Sequence, residues 1–350
     1  MERLSNIGQR IGERLDDLRE DIRSGGMFMR LTGGAIALYL LMAIVLGFYW
    51  SSEPEQYSVR DSVAANASGQ PMLVGVATTS TLIRVTSTLL DKPGGFLSND
   101  IFPPGIWLDN IPNWEYGVLI QSRDLSKAMR EAFSRSQSQS TEDNALAKAE
   151  SRFNFDHRSW AVPASESEYR QGIKSLENYL MRLADEDRHN AQFYARADNL
   201  RYWLSTVETR MGSLSQRLSA SVGQRRLNTD LAGEERASRS TSAPAEIEVK
   251  TPWTEIDDVF YEARGSAWAL LHFLKAIEID FADVLAKKNA LVSLKQIIRE
   301  LEATQESVFS PVIMNGDGFG PMANHSLVMA SYISRANAGI IDLRELLSQG

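Results

Sequence analysis

The chain has 350 residues, of which 43% are apolar, 23% charged and 9% aromatic, so it can build a sizeable core and is neither disordered nor collagen-like. Lys and Arg total 37 against 45 Asp and Glu, a net charge of −8, which is the wrong sign for a protein that neutralises phosphates and argues against nucleic acid as a partner. The absence of cysteine removes thiolate nucleophiles, disulfides and cysteine-ligated zinc or iron–sulfur centres together.

Leu4, Ile11 and Leu18 recur every seven residues, with Ile7, Leu15 and Ile22 between them. Residues 1–30 therefore read as an amphipathic arm, either a short parallel coiled coil or a helix lying on the inner leaflet. Leu31 to Trp50 carries no charge and would rise about 30 Å as a helix, the thickness of a bilayer's hydrocarbon core. Arg30 marks one end of this run and Phe48-Tyr49-Trp50 the other, as expected where a span meets the headgroups. Residues 31–50 are thus expected to span a membrane. Arg14, Arg19, Arg23 and Arg30 precede the run and only Arg60 follows within twenty residues, which puts the N-terminus in the cytoplasm and the rest outside.

A cleavable signal is the competitor, because Ala65-Asn66-Ala67 offers a small-x-small site. That site lies 15 residues beyond Trp50 and the polar arm before the span is long, so an uncleaved anchor is the preferred reading. The pairs Gly33/Ala37 and Ala43/Gly47 place small residues one turn apart, a face on which two copies could associate as a homo-oligomer.

Residues 51–70, poor in apolar side chains, read as a tether, and 71–227 as a first helical subdomain. Met72 to Leu90 is ambiguous between helix and strand because of its threonines, and helix is chosen from the shared face of Val74, Ala77, Leu82, Val85 and Leu89. Four prolines and three glycines exclude a regular helix through most of 91–115, yet Phe96, Leu97, Ile101, Phe102, Ile106, Trp107, Leu108, Ile111 and Trp114 lie there. Such a loop is either a packed cap across helix ends or a surface for a partner or lipid, and Phe102, Trp107 and Trp114 are its candidate interaction residues.

Helices are then expected over 116–133, from Ala145 toward Phe153 behind a cap in 141–144, and from Ser165, with Ser165 and Glu168 as a capping box. The stripe continues through Trp203, Val207, Met211 and Leu218 after a break near 185–190. Residues 228–252 read as a linker or exposed loop, and 253–350 as a second helical subdomain packed on the first, with a bend at Lys287-Lys288-Asn289. No block of strand-like alternation and no fixed repeat is present. The expected class is all-α: one N-terminal transmembrane helix followed by a large helical-bundle-like extracytoplasmic domain with long ordered loops.

Of the four histidines, none forms a compact metal-ligand pair, and no metal or cofactor is expected. His272, flanked by Leu270, Leu271, Phe273 and Leu274, reads as a hydrogen-bonded core histidine, and His189 as solvated. Asn315 to Pro321 reads as a tight turn before a helix rather than a phosphate loop, because no strand precedes it and no P-loop lysine follows. If the 91–115 and 309–325 loops meet, Asp100, Asp109, Glu115, Asp317 and His325 would line an acidic aromatic cleft, with Asp109, Asp317 and His325 as weak catalytic candidates. Without the G-x-S-x-G elbow or a histidine near a candidate serine in a recognisable order, the balance is against an enzyme.

The stretches GGFLSNDIFPPGIWLDNIPNWEYG at 94–117, FSRSQSQSTEDNALAKAE at 133–150 and SYISRANAGIIDLRELL at 331–347 resemble a proteobacterial inner-membrane family, the domain-of-unknown-function family numbered 2333. The resemblance implies a bacterial envelope location and brings no catalytic residue, cofactor or mechanism. The expected function is a membrane-anchored periplasmic scaffold or accessory factor that binds an envelope protein. The alternatives are a hydrolase or lyase acting on a periplasmic polymer through loop carboxylates, and a small-ligand sensor.

Overall fold

The computed structural model describes residues 27–67, 73–136, 141–185, 190–227, 246–310 and 312–349. Most of the expected arm, His189 and most of the expected linker lie outside these residues. The chain divides into two units, Met1–Ser51 and Ser52–Gly350.

In the first unit, α1 (Met27–Trp50) is continuous, and Met29–Trp50 has a mean hydropathy of 2.2, long and apolar enough to cross a membrane.

The regular structure described in the second unit is mostly helical: α2 (Val59–Ala67), α3 (Val76–Asp91), α4 (Asn110–Ala128), α5 (Asn144–Phe153), α6 (Ser165–Leu183), α7 (Ala197–Ser219), α8 (Ile256–Asp280), α9 (Ala282–Lys287), α10 (Leu291–Ala303) and α11 (His325–Ser348). The chain is all-α, as its periodicity predicts, with one small exception. Gln224–Leu227 (β1) and Glu246–Val249 (β2) pair antiparallel, with Arg225 opposite Glu248. Four-residue strands this polar carry no legible alternation.

The centre is α8, buried round its whole circumference from Ala263 to Leu274, as expected of a helix that is apolar on most of its faces. It packs most extensively on α4, while α7 lies along α11 and α5 along α6. Two glycines permit the α4–α8 approach. A Cβ on Gly117 would lie 2.1 Å from the Glu262 carbonyl oxygen, and one on Gly265 would lie 2.0 Å from that of Trp114. The chain on both sides of 228–252 therefore builds one core, not two subdomains, because the most extensive contact joins α4 from before that stretch to α8 from after it.

Three local expectations are corrected. Residues 51–70 are not a free tether: Val59 and Val63 of α2 bury against Ala77 and Ala276, and Glu53 forms a bidentate pair with Arg264. Two valines suffice to dock a short polar helix, too few to register as a stripe. The capping box at Ser165 does not form either. The Ser165 hydroxyl donates back to the Asp156 and Ser159 carbonyls, and Glu168 pairs with Arg152. Finally, α4 starts at Asn110, because Pro112 sits in its first turn, where an amide would have no helical partner anyway.

Two buried polar side chains of α8, His272 and Asp280, are satisfied by partners within the fold. His272 donates from Nδ1 to the Trp268 carbonyl and accepts the Tyr57 amide at Nε2, a neutral core imidazole that burial holds down to about 4. The Asp280 carboxylate accepts the Thr78 amide and hydroxyl, both at 2.6 Å, capping α3 from α8 while Gly75, at φ +94°, supplies no side chain.

Candidate functional site

The loop between α3 and α4 is organised by one buried carboxylate. Glu115, fully buried in the first turns of α4, accepts the amides of Leu97 and Ser98 and the Ser98 hydroxyl, and pairs with the equally buried Lys92 at 2.7 Å. Burial pushes the Glu115 carboxyl up, and the Lys92 ammonium, Ser98 and the Leu97 amide pull it back. Lys92 also donates to the Gly95 carbonyl, so both sides of the turn are pinned.

Below this brace Phe96 and Leu97 are buried, with the Phe96 ring edge-on to Tyr169. Beyond it the chain turns outward. Phe102 is 71% exposed, Trp107 53% and Ile106 56%. Asn99 ties this segment to the loop before α6, donating to the Ser159 carbonyl and to Glu166, both at 2.8 Å. That second loop presents Trp160 at 60% exposure and Val162 at 97%. Five large apolar side chains are thus held outward on two linked loops, which is expensive in water unless a partner covers them.

Beside α4 lies a cavity of about 460 Å³ lined by Asp109, Asn113, Tyr116, His157, Asp258 and Glu262, among others. Asp258 accepts a 2.6 Å hydrogen bond from Asn113 and is pushed up to about 6 by burial first, then by Asp257, Asp109, Glu255 and Glu262. Its pKa in the unfolded chain is about 3.9, so the folded state holds the proton more tightly between these values. The group's favourable contribution is therefore present below about pH 4 and lost as pH rises through about 6. Asp258→Asn is expected to raise the melting temperature at pH 7.5 and leave it unchanged at pH 4, as differential scanning fluorimetry can check.

The sequence candidates separate. Asp109 lines this acidic cavity and accepts the Asn110 amide at the start of α4. His325 lines a different cavity of about 240 Å³, beside Phe260, Arg264 and Phe309, and accepts the Met314 amide at Nδ1. Asp317 is exposed, lines neither cavity and accepts the amides of Phe319 and Gly320 within its own turn. Asp100 and Glu115 line neither cavity as well; Glu115 is consumed by the loop brace. Trp114 is fully buried, its ring 5.2 Å from that of Trp268, and belongs to the core rather than to a surface. Asp258 and Asn113, missed in the sequence, carried no signal beyond ordinary acidic and polar residues in helix first turns. Among the described residues no group of three or more His, Asp or Glu is placed to hold a metal ion.

The fold defines a helical protein in which, among the described residues, one helix near the N-terminus is long and apolar enough to cross a membrane. The chain belongs to the bacterial family described as "Uncharacterized protein conserved in bacteria (DUF2333)", which matches residues 22–350. Neither a curated protein nor a solved structure matches it.

Proposed function

We propose that this protein is a membrane-anchored scaffold of the bacterial cell envelope: α1 spans the inner membrane, the N-terminus is cytoplasmic, and the periplasmic body binds a protein partner through the linked 99–107 and 159–163 loops. The observation that carries the reading is the outward set Phe102, Ile106, Trp107, Trp160 and Val162, held on loops fixed from beneath by Asn99, Lys92 and Glu115. Aromatic side chains on a pre-ordered support are the usual anchors of protein interfaces, because little entropy is lost in fixing them. Anchoring rather than cleavage is favoured because Ala65-Asn66-Ala67 lies in α2, a helix whose Val59 and Val63 are built into the body.

Phe102→Ala with Trp107→Ala removes the two aromatic anchors of the first loop without touching the core. Copurification after mild extraction from membranes is expected to lose a partner that the parent chain retains, with the melting temperature within about 2 °C of the parent. An unchanged set of partners would reject the loop as the binding surface.

A further inference from the structure

The loop between α10 and α11 also holds large apolar side chains in water. Phe309 and Phe319 are wholly exposed, and Val312, Met322 and Val328 are more than half exposed. From Ser307 to Val328 the sequence carries one charged side chain, Asp317, whose carboxylate is turned onto the Phe319 and Gly320 amides of its own turn. The tip is a hairpin. Asn315 bridges Asn324, Gly316 donates to the Ala323 carbonyl at 2.9 Å, and the Asn324 carboxamide donates to the Asn315 side chain while it caps α11. Asn315 in turn donates to the Ser221 carbonyl beyond α7, which fastens the hairpin to the body. An ordered tip that shows aromatic rings and almost no charge suits an apolar medium better than water.

Arg264 of α8 fastens the base of this loop and the start of the body together. Its Nη1 donates to the Thr304 and Glu306 carbonyls at 3.0 and 2.8 Å, and its Nε and Nη2 grip the Glu53 carboxylate. Glu53 stands three residues after Trp50, a reach of about 10 Å even in fully extended chain. From there the chain climbs α8: the Tyr57 amide meets His272, eight residues and about 12 Å further along the helix. The Arg264 level is thus the part of the body that the chain meets first on leaving α1. The loop returns to that level and passes it on the side away from His272. There His325, at the start of α11, lies beside Phe260, one turn before Arg264, with ring centroids 6.4 Å apart.

We infer that the loop between α10 and α11 dips into the adjacent leaflet of the membrane that α1 spans, through Phe309, Phe319 and Met322. The inference rests on the reading of α1 as a membrane span and is independent of the partner-binding loops. Lipid is favoured over a protein as the occupant because α1 keeps the loop permanently within reach of the bilayer. Insertion is then an intramolecular step, which a few apolar side chains can drive. Asp317, its carboxylate spent on two amides, stays in the headgroup layer and keeps the insertion shallow. A second attachment point fixes which face of the body looks at the membrane.

The native chain has no cysteine, so a single thiol can report each position. The full chain is reconstituted in phosphatidylcholine vesicles with a nitroxide on one cysteine, placed by Phe309→Cys, Phe319→Cys, Leu38→Cys in α1 or Val292→Cys on α10. Collisions of the nitroxide are compared with oxygen, which concentrates in lipid, and with a nickel chelate, which stays in water. Leu38→Cys is expected to favour oxygen and Val292→Cys the chelate, with both loop positions siding with Leu38→Cys. Phe309 and Phe319 are outside the core, so their substitution is expected to leave the melting temperature unchanged. Loop labels that side with Val292→Cys while Leu38→Cys favours oxygen overturn the inference and leave the anchor standing. A Leu38→Cys label that favours the chelate removes the anchor, and the inference with it. Loop labels that meet water in these vesicles but are shielded from both reagents in native membranes would make the occupant a protein, which also overturns the inference.

Discussion

Gly265→Ala is expected to cost about 3 kcal/mol of folding stability, read as a shift of the urea midpoint at constant slope. The added methyl would lie 2.0 Å from the Trp114 carbonyl oxygen and 2.7 Å from its carbon. These are main-chain atoms of α4 that no rotamer change can move. Relief requires α4 and α8 to separate, which loosens the Trp114–Trp268 contact and every core residue around it. Alanine would otherwise gain about 1 kcal/mol over glycine in a helix, so the steric penalty must exceed that gain. Gly117→Ala meets the Glu262 carbonyl in the same way and is expected to behave alike. Gly212→Ala on α7 is the control: its methyl would meet only the Asn337 side chain at 3.5 Å, an ordinary contact, so it should be neutral or stabilising by up to about 1 kcal/mol.

Lys92→Met is expected to cost about 3–5 kcal/mol, the usual penalty for leaving a buried charge without its counter-ion. Glu115 would keep its bonds from Leu97 and Ser98 but lose the ammonium at 2.7 Å in a site closed to water. With that ammonium gone, burial raises the carboxyl further above its unfolded value, so the deficit is full at high pH and shrinks as pH falls through the folded pKa. Adding Glu115→Gln should recover part of the loss at neutral pH, because an uncharged carboxamide still accepts from the loop amides. Urea titrations at pH 5 and pH 8 separate this cause from simple loss of packing, which would show no such dependence. The consequence reaches the surface: once the brace fails, the segment carrying Phe102 and Trp107 loses its support.

What the sequence made legible follows from how far each element depends on distant neighbours. Tyr169, Ile173, Leu176 and Tyr179 announce α6 by themselves, as Trp203, Val207, Met211 and Leu218 announce α7, since one helical stripe is a local pattern. The Lys287-Lys288-Asn289 bend was readable for the same reason, and Asn289 there adopts φ +53°, a conformation that asparagine tolerates. His272 could be assigned to the core from its four apolar neighbours alone.

The misreadings share a different cause. Pro112 looked like a breaker although its place in the first turn of α4 makes it harmless, and that single boundary moved Trp114 from an apparent surface loop into the core. The Ser165–Glu168 spacing fits a capping box, but carbonyls at Asp156 and Ser159 and the guanidinium of Arg152 were nearer partners. The cavity of about 380 Å³ between α4, α7 and α8 is the extreme case. Gln121, Arg210 and Glu262 come from three helices separated by long stretches of chain, and no local spacing could bring them together.

The absence of cysteine permits a clean assay of where the body resides. Val292→Cys places one thiol at a position 76% exposed on α10, and Ser5→Cys places one in the N-terminal arm. In spheroplasts treated with a membrane-impermeant maleimide, Val292→Cys is expected to label at once and Ser5→Cys only after lysis. Labelling of Ser5→Cys in intact spheroplasts, with Val292→Cys protected until lysis, would contradict an inner-membrane anchor that holds the helical body in the periplasm.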